Sequence, residues 1–92
     1  MKVTVEYTAQ VKRAAGIGAE ELELDADSSI RDLVAHIADA HGDPLRGILL
    51  DAAEEVHPSL LLFVGDNQVR PGDSAPLSDR DIVTILSPIS GG

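Results

Sequence analysis

The segment spanning residues 28–42 constrains the fold more than any other part of the chain. Its apolar side chains recur at the spacing of one helix face, at Ile30, Leu33, Val34, Ile37 and Ala38. Ser29 and Asp32 stand three residues apart, in a near relative of the capping box, and Gly42 with Asp43-Pro44 stops the helix. The pattern predicts one amphipathic helix that ends near His41, and its apolar face needs another layer to cover it.

Two stretches before this helix alternate between apolar and polar residues, as strands with one buried face do. The first runs from Lys2 to Tyr7, and the second runs from Glu21 to Asp25. The acidic outer face of the second is typical of a sheet edge that avoids pairing with other chains. Between them lies a polar stretch ending in Gly16-Ile17-Gly18. Gly16-Ile17-Gly18 lacks the third glycine of a dinucleotide-binding loop, and these three residues are predicted to form a flexible loop.

Three further elements are predicted after the helix. Leu45, Ile48, Leu49 and Ala52 have the spacing of a second, shorter helix. The uninterrupted apolar run from Leu60 to Val64 predicts a buried strand, followed by a turn at 65–67 and a brief return strand at 68–70. The run from Ile82 to Leu86 is apolar at four of its five positions, which indicates a central strand covered on both faces.

The order of these elements predicts the fold class. A chain of 92 residues with 43% hydrophobic content builds one modest core. The economical arrangement is an α+β domain in which one main helix packs across a mixed sheet of four to five strands, as in a ubiquitin-like β-grasp. In that fold the first and last strands pair in parallel. We therefore expect a β-grasp domain over residues 1–86 and a flexible C-terminal tail over residues 87–92.

Composition excludes several classes of function. The formal net charge of −9 repels phosphate backbones and anionic lipid, so neither a nucleic acid nor a membrane is an expected partner. No apolar run approaches the roughly 20 residues of a membrane span, and a cytoplasmic location is expected. The absence of cysteine excludes a thiolate metal site and a cysteine nucleophile. The chain has three histidines, His36, His41 and His57; His36 lies off the apolar helix stripe and His41 lies in the last helical turn, where a cation interacts favourably with the helix dipole, so no metal is predicted.

The last sixteen residues carry the most specific motif. Leu77 to Gly92 comprises a polar Asp79-Arg80-Asp81 turn, an apolar strand, Pro88 and a terminal Gly-Gly. This pattern resembles the ubiquitin-like sulfur carriers of the MoaD/ThiS family, and the stretch from Phe63 to Val69 resembles the penultimate hairpin of that family. The resemblance spans the whole chain.

The resemblance implies a carrier, not an enzyme. In the family, a ubiquitin-activating-type adenylyltransferase uses ATP to convert the terminal carboxylate to an acyl-adenylate, and sulfur then replaces AMP to give a thiocarboxylate. By resemblance this chemistry occurs on Gly92, with no cofactor bound to the carrier itself. Pro88, Ile89, Ser90 and Gly91 form the part of the tail that enters the partner's channel, where the missing Cβ of Gly91 allows close backbone approach.

A sulfur acceptor enzyme is the second implied partner. The large subunit of molybdopterin synthase is the preferred one, and Leu61 and Phe63 are candidate partner-surface residues. Leu86-Ser87-Pro88 differs from the aromatic residue and two prolines common in molybdopterin carriers, so thiamine, cysteine and tRNA thiolation routes stay open. Two alternatives of another class stay open as well. The chain could be a ubiquitin-like protein modifier whose activated terminus forms isopeptide bonds to lysines of other proteins. It could also be an interaction module whose terminal glycines take part in no reaction.

Overall fold

The computed structural model describes residues 1–87, and Pro88 to Gly92 lie outside the described residues. Within that part of the chain, the elements follow one another as β1 (Lys2–Tyr7), α1 (Ala9–Ala15), β2 (Ala19–Glu23), α2 (Ile30–His41), α3 (Leu45–Leu49), β3 (Leu61–Val64), β4 (Asn67–Val69) and β5 (Ile82–Leu86). No helix in residues 1–87 is long and apolar enough to cross a membrane.

The five strands form one mixed sheet in the order β2-β1-β5-β3-β4. β1 and β5 pair in parallel at the centre, and the other neighbours pair antiparallel. The helix α2 provides the main cover for one face of this sheet, since its five predicted apolar residues are all buried. The predicted β-grasp arrangement, with its central parallel pair and its acidic edge strand, is therefore confirmed.

The predicted capping box of α2 is present. The Asp32 carboxylate accepts a hydrogen bond from the Ser29 backbone N–H at 2.9 Å, and the Ser29 hydroxyl accepts one from the Asp32 backbone N–H at 3.4 Å. The backbone hydrogen bond from Ser29 lowers the pKa of Asp32. At the other end, Gly42 donates to the Ala38 carbonyl at 2.9 Å, with a φ of 68° that favours glycine. The helix thus begins and ends where the sequence predicts.

The loop predicted at Gly16-Ile17-Gly18 lies outside any helix or strand, but the polar stretch before it forms the helix α1 at Ala9–Ala15, which was not predicted. This helix buries only Val11, so it has too few turns and too few apolar residues to produce a recognisable stripe. Its alanine, glutamine, lysine and arginine residues are good helix formers. Gly16 ends the helix in the left-handed conformation, with φ of 81°, and donates to the Lys12 carbonyl.

The strand β2 lies two residues earlier than predicted, at Ala19–Glu23. Its start is fixed by tertiary pairing, since Ala19 lies opposite Glu6 and the Gly18 carbonyl accepts a hydrogen bond from the Tyr7 N–H. The short helix α3 is also confirmed, although it ends at Leu49 and leaves Ala52 exposed.

The prediction that β5 is covered on both faces is wrong. Along β5, Val83 and Ile85 are buried, whereas Ile82 is 46% exposed and the side chains of Thr84 and Leu86 are only partly covered. β3 alternates in the same way, with Leu62 buried between the partly exposed Leu61 and Phe63. A chain of this length supplies enough helix for one layer, so the sheet keeps one open face.

Candidate functional site

The central strand β5 ends at the point where the predicted tail begins. Ile85 lies opposite Tyr7 of β1, Leu86 lies opposite Leu61 of β3, and Ser87 is buried. The Thr8 hydroxyl donates to the Ile85 carbonyl at 3.1 Å, which ties the end of β5 to the start of α1. We call Leu86 and Ser87 the tail root. Strands pair with β5 on both sides as far as Ile85, Leu86 pairs with β3, and Ser87 is buried just after the strand, so the root is anchored to the sheet.

The roles predicted for Pro88, Ile89, Ser90, Gly91 and Gly92 stay predictions, since these residues lie outside the part of the chain that the structure describes. The structure does describe their point of attachment. It is the end of a central strand, beside the first helix, and not a loop remote from the core.

The two predicted partner-surface residues lie next to the tail root on the open face of the sheet. Paired residues share a face, and Phe63 lies opposite Thr84 while Leu61 lies opposite Leu86. The open sheet face therefore carries a central apolar surface, and we use that term for the side chains of Leu61, Phe63, Ile82, Thr84 and Leu86.

The contribution of β5 to this surface was not predicted from its sequence. Ile82 and Leu86 are both apolar, so the run looks fully buried, although Thr84 between them marks the alternate face. The isolated polar residue at the middle position was the available indication that one face of β5 meets water.

Acidic residues border the central apolar surface on one side. Glu6 lies opposite Thr84 and shares its face, and Glu21 and Glu23 continue that face across β1 to the edge strand β2. All three carboxylates are on exposed residues. A partner that covers the apolar surface would meet this acidic border, and complementary basic groups on the partner would favour its approach.

A second polar cluster joins three elements behind the open face. Tyr7 donates a hydrogen bond to Glu20 Oε2 at 2.5 Å, and His41 Nε2 lies 2.6 Å from the same oxygen. The tyrosine and histidine rings meet edge to face, with centroids 6.1 Å apart. This cluster links β1, β2 and the last turn of α2. No local sequence pattern predicts it, because its three residues come from three separate elements.

Burial and hydrogen bonding shift two pKa values within the cluster. Burial of Tyr7, reinforced by the hydrogen bond and the negative charge of Glu20, raises the pKa of its phenol well above the ordinary value of 10.0. Burial alone would raise the pKa of Glu20, but the hydrogen bonds from Tyr7 and His41 outweigh it and lower the pKa below 4.5. The cluster therefore contributes to the free energy of unfolding between two limits. This contribution is lost in the acid range, where Glu20 becomes protonated, and in the strongly alkaline range, where Tyr7 ionises.

We expect Tyr7 to resist ionisation until the chain unfolds. A raised pKa means that the folded state holds the phenolic proton more tightly, so this stabilisation is complete below about pH 10 and is lost as the pH rises further. Tyr7 is the only tyrosine and the chain has no tryptophan, so tyrosinate absorbance reports this residue alone. The absorbance change should coincide with the loss of circular dichroism, whereas the urea-unfolded chain should titrate near pH 10. Ionisation near pH 10 in the folded protein would contradict this expectation.

The remaining polar candidates have structural partners. In the turn before β5, Asp79 accepts a hydrogen bond from the Lys2 N–H at 2.7 Å, which lowers its pKa, and Asp81 accepts one from the Ser78 N–H at 2.8 Å. His57 Nδ1 lies 2.8 Å from the Ser59 hydroxyl. Among residues 1–87, no group of three or more histidine, aspartate and glutamate side chains is arranged to hold a metal ion.

Comparison with known proteins adds an independent line of evidence. The sequence model of the ThiS family matches residues 5–92. The molybdopterin synthase sulfur carrier subunit of Chlamydomonas reinhardtii is 32% identical over 92 residues, which cover 100% of both chains.

Two solved structures extend the comparison. The crystal structure of SAMP1 from Haloferax volcanii superposes with a TM-score of 0.87 over 100% of both chains at 17% identity, which shows a shared fold. The BexX/CysO complex of Amycolatopsis orientalis contains a chain that matches with a TM-score of 0.68 at 25% identity, covering 98% of this chain and 99% of that one.

Proposed function

Because this chain belongs to the ThiS family and is a small sulfur carrier of the ThiS/MoaD type, we propose that it carries sulfur as a thiocarboxylate on Gly92. The observation that supports this best is the position of the tail root. β5 ends between two paired strands, beside an apolar surface on the open sheet face, so a partner that covers this surface also lies over the tail root.

The proposed chemistry begins with activation of a poor electrophile. A carboxylate repels nucleophiles and lacks a good leaving group. The Gly92 carboxylate attacks the α-phosphorus of ATP, which releases pyrophosphate and forms an acyl-adenylate. Hydrosulfide then attacks the acyl carbon, the bond to AMP breaks, and a thiocarboxylate and a proton result. The ATP is bound by the activating partner, a ubiquitin-activating-type adenylyltransferase, and the carrier needs no cofactor of its own.

The surface chemistry of the carrier supports a protein partner that receives the tail. The central apolar surface includes Phe63, Leu61 and Ile82, and aromatic and branched side chains of this kind are common anchors in protein interfaces. Its acidic border at Glu6 and Glu21 would pair with basic groups on that partner. The same surface can serve the activating enzyme and the sulfur acceptor in turn, because both must reach Gly92.

We propose molybdopterin synthesis as the route that consumes the sulfur. The support is the full-length match at 32% identity to a relative named as a molybdopterin synthase sulfur carrier subunit. The acceptor would then be the large subunit of molybdopterin synthase. The relative CysO, which occurs in a complex with BexX, shows a protein of this fold assembled with another protein.

The experiment that tests the function measures intact mass. The purified chain is incubated with ATP, sulfide and the ubiquitin-activating-type adenylyltransferase that acts on carriers of this family. Its mass should rise by the difference between a sulfur and an oxygen atom. Omission of ATP is the control and should prevent the gain. The charged carrier is then added to the large subunit and its substrate, and loss of the extra mass with formation of the dithiolene product would support the molybdopterin route.

Two results would contradict these proposals separately. A charged carrier that transfers sulfur only to a thiazole synthase or a cysteine synthase would contradict the molybdopterin route and retain the carrier chemistry. Conjugates with a Gly-Gly remnant on lysines of other proteins, formed without any thiocarboxylate, would instead identify a ubiquitin-like modifier.

A further inference from the structure

The basic residues of this acidic chain fall into two groups. Arg31, Arg46 and Arg80 each have a carboxylate within the 4.0 Å limit of an ion pair. Lys2, Lys12, Arg13 and Arg70 are exposed, and none of them has an ion pair with a carboxylate of residues 1–87. The chain contains sixteen acidic residues, so four cations without such a partner are unexpected.

Three of these four cations lie at the end of the sheet that carries the tail root, whereas Lys2 lies at the opposite end of β1. Lys12 and Arg13 belong to α1, which starts two residues after Tyr7, and Tyr7 lies opposite Ile85. Arg70 directly follows Val69, which lies opposite Leu62, so Arg70 is level with Leu61 and Leu86. The cations therefore flank β5, with α1 on one side and the end of β4 on the other. We call Lys12, Arg13 and Arg70 the basic rim.

The α1 side of the basic rim borders a shallow hollow. Its lining residues are Ala9, Lys12, Arg13, Gly16, Ile17 and Gly18. Ile17 is 41% exposed within this hollow, which is a large fraction for a branched apolar side chain. The Lys12 stem lies beside Gly18, where a Cβ would be in ordinary van der Waals contact with Lys12 Cε at 3.4 Å. The hollow thus combines two cations with one apolar side chain, a combination suited to a protein surface that carries carboxylates.

We propose that the basic rim docks on carboxylate side chains that border the entrance of the activating partner's tail channel. The proposal rests on the proposed function, because only a partner that receives residues 88–92 must approach this end of the sheet. The rest of the carrier is acidic and repels such a border. A local positive rim turns the correct end of the carrier toward it, since electrostatic complementarity acts mainly on orientation and encounter.

A protein fits the basic rim better than a nucleic acid does. The net charge of −9 opposes binding to a phosphate backbone, and, because Tyr7 is buried, Phe63 alone of the tyrosine and phenylalanine side chains offers a base any stacking surface. Three cations spread on both sides of β5 also suit separate carboxylates around an opening better than a continuous strand of phosphates.

The test compares two charge reversals that change the net charge equally. Lys12→Glu alters the basic rim, whereas Lys2→Glu alters an exposed lysine at the opposite end of β1. With ATP and the adenylyltransferase, pyrophosphate release gives KM and kcat for each carrier. We expect Lys12→Glu to raise KM about tenfold at low ionic strength with kcat unchanged, and Lys2→Glu to change KM less than about twofold. The difference should shrink at about 0.5 M salt.

Three outcomes would overturn the proposal, and each is distinguishable. Equal KM values for Lys12→Glu, Arg13→Glu and Lys2→Glu would overturn the basic rim and leave the carrier function intact. Failure of the unmodified chain to release pyrophosphate would overturn the proposed function, and the rim with it. If Lys12→Glu leaves KM unchanged but abolishes retention of the carrier on immobilised single-stranded RNA, the basic rim binds a nucleic acid instead. Circular dichroism of each variant confirms that the fold is retained.

Discussion

Deletion of Gly92 is expected to abolish the thiocarboxylate mass gain. The shortened chain still ends in a carboxylate, on Gly91, but that group falls short of the reacting position by one residue, or about 3.3 Å. Reacting atoms must approach within about 3–3.5 Å in the correct orientation, and a displacement of 1 Å can cost about a hundredfold in rate. We therefore expect a loss greater than about a hundredfold, measured as intact mass over a time course.

The matched control for this deletion is Ser90→Ala, which keeps the length of the chain and both terminal glycines. Its mass gain should equal that of the unmodified chain. A third variant, Gly91→Val, adds a branched side chain next to the reacting carbon. It should slow the mass gain without stopping it, because a narrow channel leaves little room for a Cβ while the terminal carboxylate keeps its position in the sequence. A Gly92 deletion that gains mass at the original rate would exclude Gly92 as the proposed site.

Replacement of Phe63 by aspartate is expected to weaken binding of the sulfur acceptor by about a hundredfold. Phe63 lies in the central apolar surface beside Thr84, close to the tail root. The variant removes an aromatic anchor and places a charge where the interface excludes water, for a combined cost of about 3 kcal/mol. Isothermal titration calorimetry of the carrier with the large subunit measures the change directly.

Gln68→Asp provides the matched control for Phe63→Asp. Gln68 lies directly opposite Phe63 on the edge strand β4, shares its face, and gains the same negative charge on substitution. Its effect on the dissociation constant should stay below about threefold, because residues at the border of an interface contribute little. Since Phe63 is partly exposed, both variants should keep most of their free energy of unfolding. Equal affinities for Phe63→Asp and the unmodified chain would contradict the assignment of the open face.

Local chemistry determines the elements that the sequence predicts correctly. The helix α2 depends on the spacing of its apolar residues and on the reciprocal hydrogen bonds of Ser29 and Asp32, all within a few residues of one another. The strand β1 depends on simple alternation. The bounds of β2 depend instead on its pairing with β1, and α1 is stabilised by burial of Val11 against distant parts of the chain. Neither dependence is visible in a local pattern.

The same distinction applies to the candidate site. Leu61 and Phe63 were predictable because the apolar run at 60–64 exceeds what one buried face needs. The register that places them beside Leu86 was not predictable from either strand alone. Glu20 was overlooked because the predicted second strand began at Glu21, and a strand that begins at Ala19 directs Glu20 toward the covered face, where Tyr7 and His41 meet it.

The burial of Ser87 sets a geometric limit on any enzyme that acts on this carrier. If Ser87 stays packed in the sheet, only five residues extend from it to Gly92. At about 3.3 Å per residue, a fully extended peptide of this length spans about 17 Å. On the proposal that Gly92 carries the sulfur, an activating enzyme or acceptor must hold its reaction centre within that depth of the surface that contacts β5, and a deeper cavity would require the last strand to unpair first.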